Sequence, residues 1–416
     1  MNPFFYRSGL VLVSLALLSC GSAAYRSSIR NYSDAYARGS DDQMLLNLVR
    51  LRQHQPAHWV QPGPITTSMN FERGLNAGSA RGERSLGLAG SLGLNLKADE
   101  RPSFTYIPLT GKEFTDRMMA PIPPKVFITL FEEGWPIDRL MRLMVERIEL
   151  GSGKGGLTIL PNDPGSGRST YLTFLKTCEV ARILQREGAL DLEVQRRFSP
   201  LAAGHSSPLQ PSTNDLINAR EKGLIWQQQG TGWVLGEMQQ QAVFRVREGA
   251  AKTVALSSLR SQPEFQSADG EEAISTFLQI VEKGLSLRAD GGTDGGSGAR
   301  AELVVRSFGG IMSAVAQEEP AYEGMSDAQQ AVLKSAVPAA QQEPILRLSW
   351  AGVPAADLQK PTVKIHLDGE SWMITDYKQG EQRSRNRDTF RFLVGLSHLV
   401  ASDLDSLKFP QTLLIQ

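Results

Sequence analysis

Only two cysteines occur in the 416 residues, Cys20 and Cys178, and only five histidines. So few thiols exclude a cysteine-based zinc site and a disulfide framework, which leaves stability to packing. His54 and His58 have the i, i+4 spacing that converges on a metal in a helix. Pro56 lies between them and breaks that geometry. Lys plus Arg balance Asp plus Glu at 44 each, with no basic run, so there is no electrostatic footprint for nucleic acid. No apolar stretch reaches the 18 or so residues that span a bilayer as a helix.

Motifs of catalysis are equally sparse. No G-x-S-x-G elbow is present. "GSGKGG" (151–156) has Gly155 where a phosphate loop needs Ser or Thr, and Ile148 where it needs glycine; "PGSGRST" (164–170) fails likewise. Both read as turns. The carboxylates Glu132, Glu133, Asp138, Asp368 and Glu370 read as solvated faces, His205 sits in a linker-like loop, and His366 and His398 fall opposite the apolar faces of their elements. No cofactor is implied.

What is present begins at the N-terminus. A single charge, Arg7, precedes the short apolar run "GLVLVSLALLS", the pattern of a signal-peptide core. Leu17, Leu18, Ser19 and Cys20 follow. This "LLSC" resembles the lipobox of bacterial lipoproteins. The resemblance covers twenty residues and implies removal of residues 1–19 and a diacylglycerol thioether, with an acyl chain on the amine, at Cys20. Gly21 in place of aspartate implies the outer membrane, on its periplasmic face or at the cell surface. Each buried methylene of such chains contributes about 0.8 kcal/mol of anchoring. Cys178 would then be the one remaining thiol. It lies on the apolar helical face of Tyr171, Phe174, Leu175 and Ala181 and reads as a buried small hydrophobe.

The 41% apolar content supports real cores, and the fold class expected is α+β: antiparallel hairpins with packed amphipathic helices in two to three modules. Residues 20–39 are small and polar, as suits a lipidated tether. Ser40 and Gln43 make a capping box for a helix carrying Leu45, Leu48, Val49 and Arg52. The expected modules are 40–199, 214–289 and 300–416, separated by the proline-rich loop 200–213 and the glycine-rich run 290–299. Three short strands are expected over 223–247. A helix capped by Asp269 should follow, and 318–343 should be a weak helix or a mobile excursion. Asp368-Gly369 signals a two-residue turn pairing Ile365 with Trp372 and Val363 with Ile374, under a helix bearing Phe392, Leu393, Leu396, Leu399 and Val400.

From Ile65 the apolar period is two, and the chain reads as a long hairpin over 65–97. Its second strand puts Leu86, Leu88, Leu92, Leu94 and Leu96 on one face and small or polar residues on the other, without a charge from Ser85 to Leu96. The leucines are the candidate contact with membrane or partner. They could cover the protein's own helices, meet another protein, or enter lipid; insertion would require several copies, because open strand edges are not tolerated there. The functional expectation is a non-enzymatic structural or assembly component of the envelope, held to the bilayer by its acyl chains and engaging a protein partner or further copies of itself. The alternatives are an oligomeric pore built from 65–97, and a hydrolase of peptidoglycan or polysaccharide whose residues cannot be named.

Overall fold

In the computed structural model the described residues are 29–62, 66–79, 90–103, 106–151, 157–165, 168–201, 206–207, 210–282, 285–289, 300–378 and 385–402. The fold is α+β, as expected. The chain divides into two compact units, one of residues 1–39 and 58–114, the other of residues 40–57 and 115–416.

The first unit holds two small sheets. β1 (Trp59–Pro62) pairs antiparallel with β4 (Tyr106–Leu109). Between them in sequence, β2 (Thr66–Ser79) and β3 (Gly90–Ser103) pair antiparallel over fourteen register positions, from Thr66 opposite Ser103 to Ser79 opposite Gly90. The long hairpin expected from the period of two is therefore present, and it extends to Ser103 instead of ending at 97.

A helix, α1, covers residues 29–52, eleven residues earlier than the capping box at Ser40 suggests. Residues 29–39, expected as tether, are thus helical. Ser40 therefore falls inside the helix and not at its start, and its hydroxyl lies 3.0 Å from His398 Nε2. His398 consequently has a protein partner. Met44, Leu45, Leu48 and Val49 are buried. At the other end His54 adopts φ +59, with Gln55 N–H donating to the Arg50 carbonyl and His54 N–H to that of Leu51, the bonding of a Schellman cap.

The core of the second unit is a mixed sheet. Its path is β6 (Leu157–Pro161), β5 (Val145–Gly151), β12 (Arg300–Val305), β11 (Leu285–Ala289), β10 (Gly232–Val246) and β7 (Leu190–Pro200). β8 (Ser206–Ser207) and β9 (Leu224–Gln229) pair with the first half of β10. Among the described strands, only β11 and β12 run parallel. Strands on both sides of 200–213 and of 290–299 join this one sheet, so those stretches connect parts of one core. β10 is continuous through Gly236 where two separate strands were expected, because each half finds its own partner, β9 and then β7.

The helices of residues 112–282 are α2 (Lys112–Met119), α3 (Pro124–Glu132), α4 (Ile137–Met144), α5 (Arg168–Arg186), α6 (Thr213–Glu221), α7 (Ala250–Ser261) and α8 (Ala268–Glu282); α3, α4, α5, α6 and α8 pack on the strands of the sheet, and α7 packs on α5. Tyr171, Phe174, Leu175, Cys178 and Ala181 of α5 are all buried, as their spacing requires. Gly188, at φ +70, closes α5 in the left-handed conformation a side chain would resist. α8 is capped by Ser267, whose hydroxyl accepts from Gly270 N–H at 3.1 Å, two residues before the expected cap.

Residues 318–343 hold the end of α9 (Phe308–Glu323), α10 (Asp327–Ala336) and a 3-10 turn (Ala339–Gln341), helical in part as expected but anchored in the core, with Glu318, Glu319, Tyr322, Leu333, Val337 and Gln341 buried. Ser307 caps α9 and Ser326 caps α10. At the C-terminal end β13 (Val363–Leu367) and β14 (Glu370–Ile374) form the expected hairpin, with Ile365 opposite Trp372 and Val363 opposite Ile374. Asp368 (φ +53) and Gly369 (φ +82) make its turn. α11 (Arg385–Ser402) contacts β14 and buries Phe392, Leu393 and Leu396, whereas Leu399 is 56% exposed and lies off the expected stripe.

Candidate functional site

Cys20, Leu86 and Leu88 lie outside the described residues. Leu92, Leu94 and Leu96 stand in β3 opposite Ala77, Leu75 and Arg73 of β2. Directly opposed positions share a face of the pleat. One face of the hairpin therefore carries positions 69, 71, 73, 75 and 77 with 100, 98, 96, 94 and 92. In sequence these are Met, Phe, Arg, Leu and Ala with Glu, Ala, Leu, Leu and Leu. The other face carries 68, 70, 72, 74, 76 and 78 with 101, 99, 97, 95, 93 and 91, all Ser, Asn, Asp, Glu, Lys, Arg or Gly. At about 3.3 Å per residue the strands are roughly 45 Å long. Among the described residues no third strand pairs with either β2 or β3.

The second unit contains a buried ionic seam that the sequence did not announce. Arg142 on α4 has a fully buried side chain and donates from Nη2 to Glu318 Oε1 at 2.6 Å and to the Glu343 carbonyl at 2.8 Å. Burial works against its cation, but the Glu318 charge, with Tyr322 and Tyr171, more than offsets it and raises the pKa. Glu318 Oε2 accepts from Ile345 N–H at 2.9 Å. Tyr171 and Tyr322 join hydroxyls at 3.0 Å, and burial pushes both phenols above their ordinary pKa. Gln341 extends the seam by donating to Asp138 at 3.2 Å and Glu179 at 3.3 Å.

A parallel strand of the network runs from Glu319. Its Oε2 accepts from Arg52 at 2.5 Å and from the main-chain N–H of Leu348 and Ser349 at 2.9 and 3.3 Å. Arg52 also lies over the Trp372 ring, 5.4 Å from its centroid. These bonds fasten α1, α9, the 345–350 segment and the β13–β14 hairpin to one another. Glu319 Oε1 faces Arg347 Nε at 3.8 Å, and Asp138 Oδ1 faces Arg182 Nε at 3.6 Å.

Cavities adjoin the seam. One of about 390 Å³ is lined by Glu319, Tyr322, Glu323, Lys334 and Arg347 among others, and one of about 140 Å³ by Arg142, Asn162, Asp163, Arg306 and Glu318. Both mix charges of either sign. Arg306 bonds the main-chain carbonyls of Arg142, Leu143 and Asn162, at 3.2, 3.3 and 2.7 Å. Two of these close the last turn of α4, so it acts as a helix C-terminal clamp. Glu149 and Glu302 face each other across β5 and β12, with Arg147 donating to Glu149 at 2.7 Å.

The remaining sequence candidates fall away from chemistry. Burial pushes the Cys178 thiol well above its ordinary pKa, the opposite of a nucleophile. His366 Nδ1 lies 2.9 Å from Ser371 Oγ, its cross-strand partner. Among the described residues no group of three or more His, Cys, Asp or Glu is placed to hold a metal ion. No helix among them is long and apolar enough to cross a membrane.

The seam escaped sequence reading because its partners are far apart, 176 positions from Arg142 to Glu318 and 267 from Arg52 to Glu319. In comparison with known proteins, no family model, no curated protein and no solved structure matches the chain.

Proposed function

We propose that this chain is an envelope lipoprotein, anchored through acylated Cys20 in the outer membrane, that acts non-enzymatically as an assembly component. Another protein chain completes its β2–β3 hairpin. The observation that supports this most is the fourteen-pair two-stranded sheet with no third strand among the described residues. An isolated hairpin of that length is marginal in water, and its outer edges present main-chain donors and acceptors that need partners. The ionic seam of the second unit supports a scaffold role, because Arg142–Glu318 and Arg52–Glu319 fasten distant elements together.

The reading makes two demands. Cys20→Ala should abolish incorporation of labelled acyl chains and release the protein from sedimented membranes. A photo-crosslinking residue at position 94 should capture a protein adduct in intact cells. Lipid adducts alone would favour the inserted pore, and membrane release of wild type without label would contradict the anchor.

A further inference from the structure

We infer that the chain completing the hairpin is a second copy of the same protein, joined edge to edge, β3 of one copy against β2 of the next, in a closed ring of hairpins. The inference rests on the assembly reading above and supplies its partner. Four observations carry it.

The first is directional. β2 and β3 run antiparallel, so the hairpin leaves two unlike edges: a β2 edge that takes an antiparallel neighbour and a β3 edge that does the same. A foreign strand would satisfy one of them. A further copy fills one edge and brings an identical free edge of its own, so the same head-to-tail contact repeats around a closed ring until no edge is left.

The second is complementarity. β2 already pairs with the β3 sequence over fourteen positions within one chain. The contact between copies uses the same two sequences again. The formal charges of β2, Glu72 and Arg73, cancel, as do those of β3, Lys97, Asp99, Glu100 and Arg101. Neither edge repels its copy, and Glu72 stands opposite Lys97 within the hairpin.

The third is the division of faces. One face holds Met69, Phe71, Leu75, Leu92, Leu94 and Leu96 with the charged Arg73 and Glu100 toward its far end, and the other carries only polar residues and glycine. A two-faced ribbon of two strands cannot cover its own apolar side. In a closed ring the alternation continues around the circumference and separates an inner surface from an outer one.

The fourth is the distribution of charge along the ribbon. The six pairs from Gly74–Asn95 to Ser79–Gly90 contain no charged residue, and every charge of the two strands lies between Ser68 and Arg73 or between Lys97 and Arg101. The uncharged pairs form a continuous band, about 20 Å high at 3.3 Å per residue, that neighbouring copies would share at one level.

The test is disulfide formation between copies of the full-length, membrane-borne protein. One variant carries Asn70→Cys on β2. Partner variants carry a single cysteine on the same face of β3, in turn Ser91→Cys, Gly93→Cys, Asn95→Cys, Lys97→Cys, Asp99→Cys and Arg101→Cys. Cys178 is buried and stays out of the reaction. When the two kinds of chain are co-expressed and oxidised, the ring predicts a species of twice the chain mass, strongest at one β3 position and fading to either side. That position gives the stagger between neighbours. Neither variant alone should cross-link, because identical strands would lie two strand spacings apart, about 9.6 Å, beyond disulfide reach of about 7 Å.

The double variant Asn70→Cys/Asp99→Cys joins register partners within one chain and serves as the control. If it closes while no mixed pair does, the ring is overturned. If it fails to close, the hairpin itself is not formed as described and the inference falls with it. Release of Cys20→Ala from membranes is read separately, so anchoring can stand when the ring does not.

Discussion

Arg142 and Glu318 meet at 2.6 Å in the interior, Nη2 to Oε1, and each also bonds a main-chain group of the 343–345 segment. Burying two charges is costly, and removing one partner leaves the other uncompensated. Arg142→Ala should therefore lower the stability of the second unit by about 3–5 kcal/mol. Arg142→Met combined with Glu318→Leu should cost less than the sum of the single changes, with a coupling of about 2–3 kcal/mol. Urea unfolding of the four proteins of this cycle measures it, and strict additivity would show that the pair does not act as a unit.

Acidification is expected to stabilise the second unit between pH 7 and about pH 5. Asp41, Glu179, Glu319 and Asp376 all have pKa values raised first of all by burial. A folded pKa above the unfolded one means that the folded state holds the proton more tightly. The associated stability is fully present below the unfolded value and is lost as pH rises through the folded value. Exposed Asp215 and Glu271 are shifted the other way, so their contribution is lost only at more acid pH. Melting temperature followed over this window checks the sign, and Glu179→Gln should flatten part of the slope. A midpoint that falls from pH 7 to 5 would contradict it.

Two helical glycines should respond oppositely to alanine. A Cβ on Gly270 would lie 2.4 Å from Phe265 Cα and 2.8 Å from the Glu264 carbonyl oxygen, all main chain. Gly270→Ala should cost about 2 kcal/mol or more, despite the helical preference for alanine. At Gly395 in α11 the added methyl meets nothing within 4 Å, and Gly395→Ala should be neutral or stabilising by up to about 1 kcal/mol. Paired thermal melts compare the two directly.

Cys178 should resist thiol reagents in the folded protein. It is fully buried on α5 and its thiol is held in the protonated form. Maleimide labelling should appear only on unfolding, with the same denaturant midpoint as loss of helix. Rapid labelling of the native state would show that the α5 face opens.

Much of the local structure was legible, and the reason is visible in particular residues. The β13–β14 hairpin is specified by Asp368-Gly369 and the alternation around it, so its register could be read off directly. The buried face of α5 followed from spacing alone. The β2–β3 hairpin was legible from its period of two, but that no third strand joins it among the described residues is a property of topology that no local pattern carries. The burial of α9 was hidden because Glu318 and Glu319 look like surface residues until Arg142 and Arg52 are brought to them. α7 was missed because its helix signal is weak, with only Ala255 and Leu259 buried. The sheet order joins strands from three stretches of chain, and strand order is set by long-range packing.

The central claim is that the β2–β3 hairpin is finished by another chain, and the most direct measurement is the mass of the full-length protein extracted in mild detergent. The account predicts a wild-type complex of several chains. The Leu92→Asp/Leu94→Asp variant should fall to the mass of one chain while its second unit melts as in wild type. A wild-type protein that elutes at the mass of one chain, with nothing bound, would contradict the account.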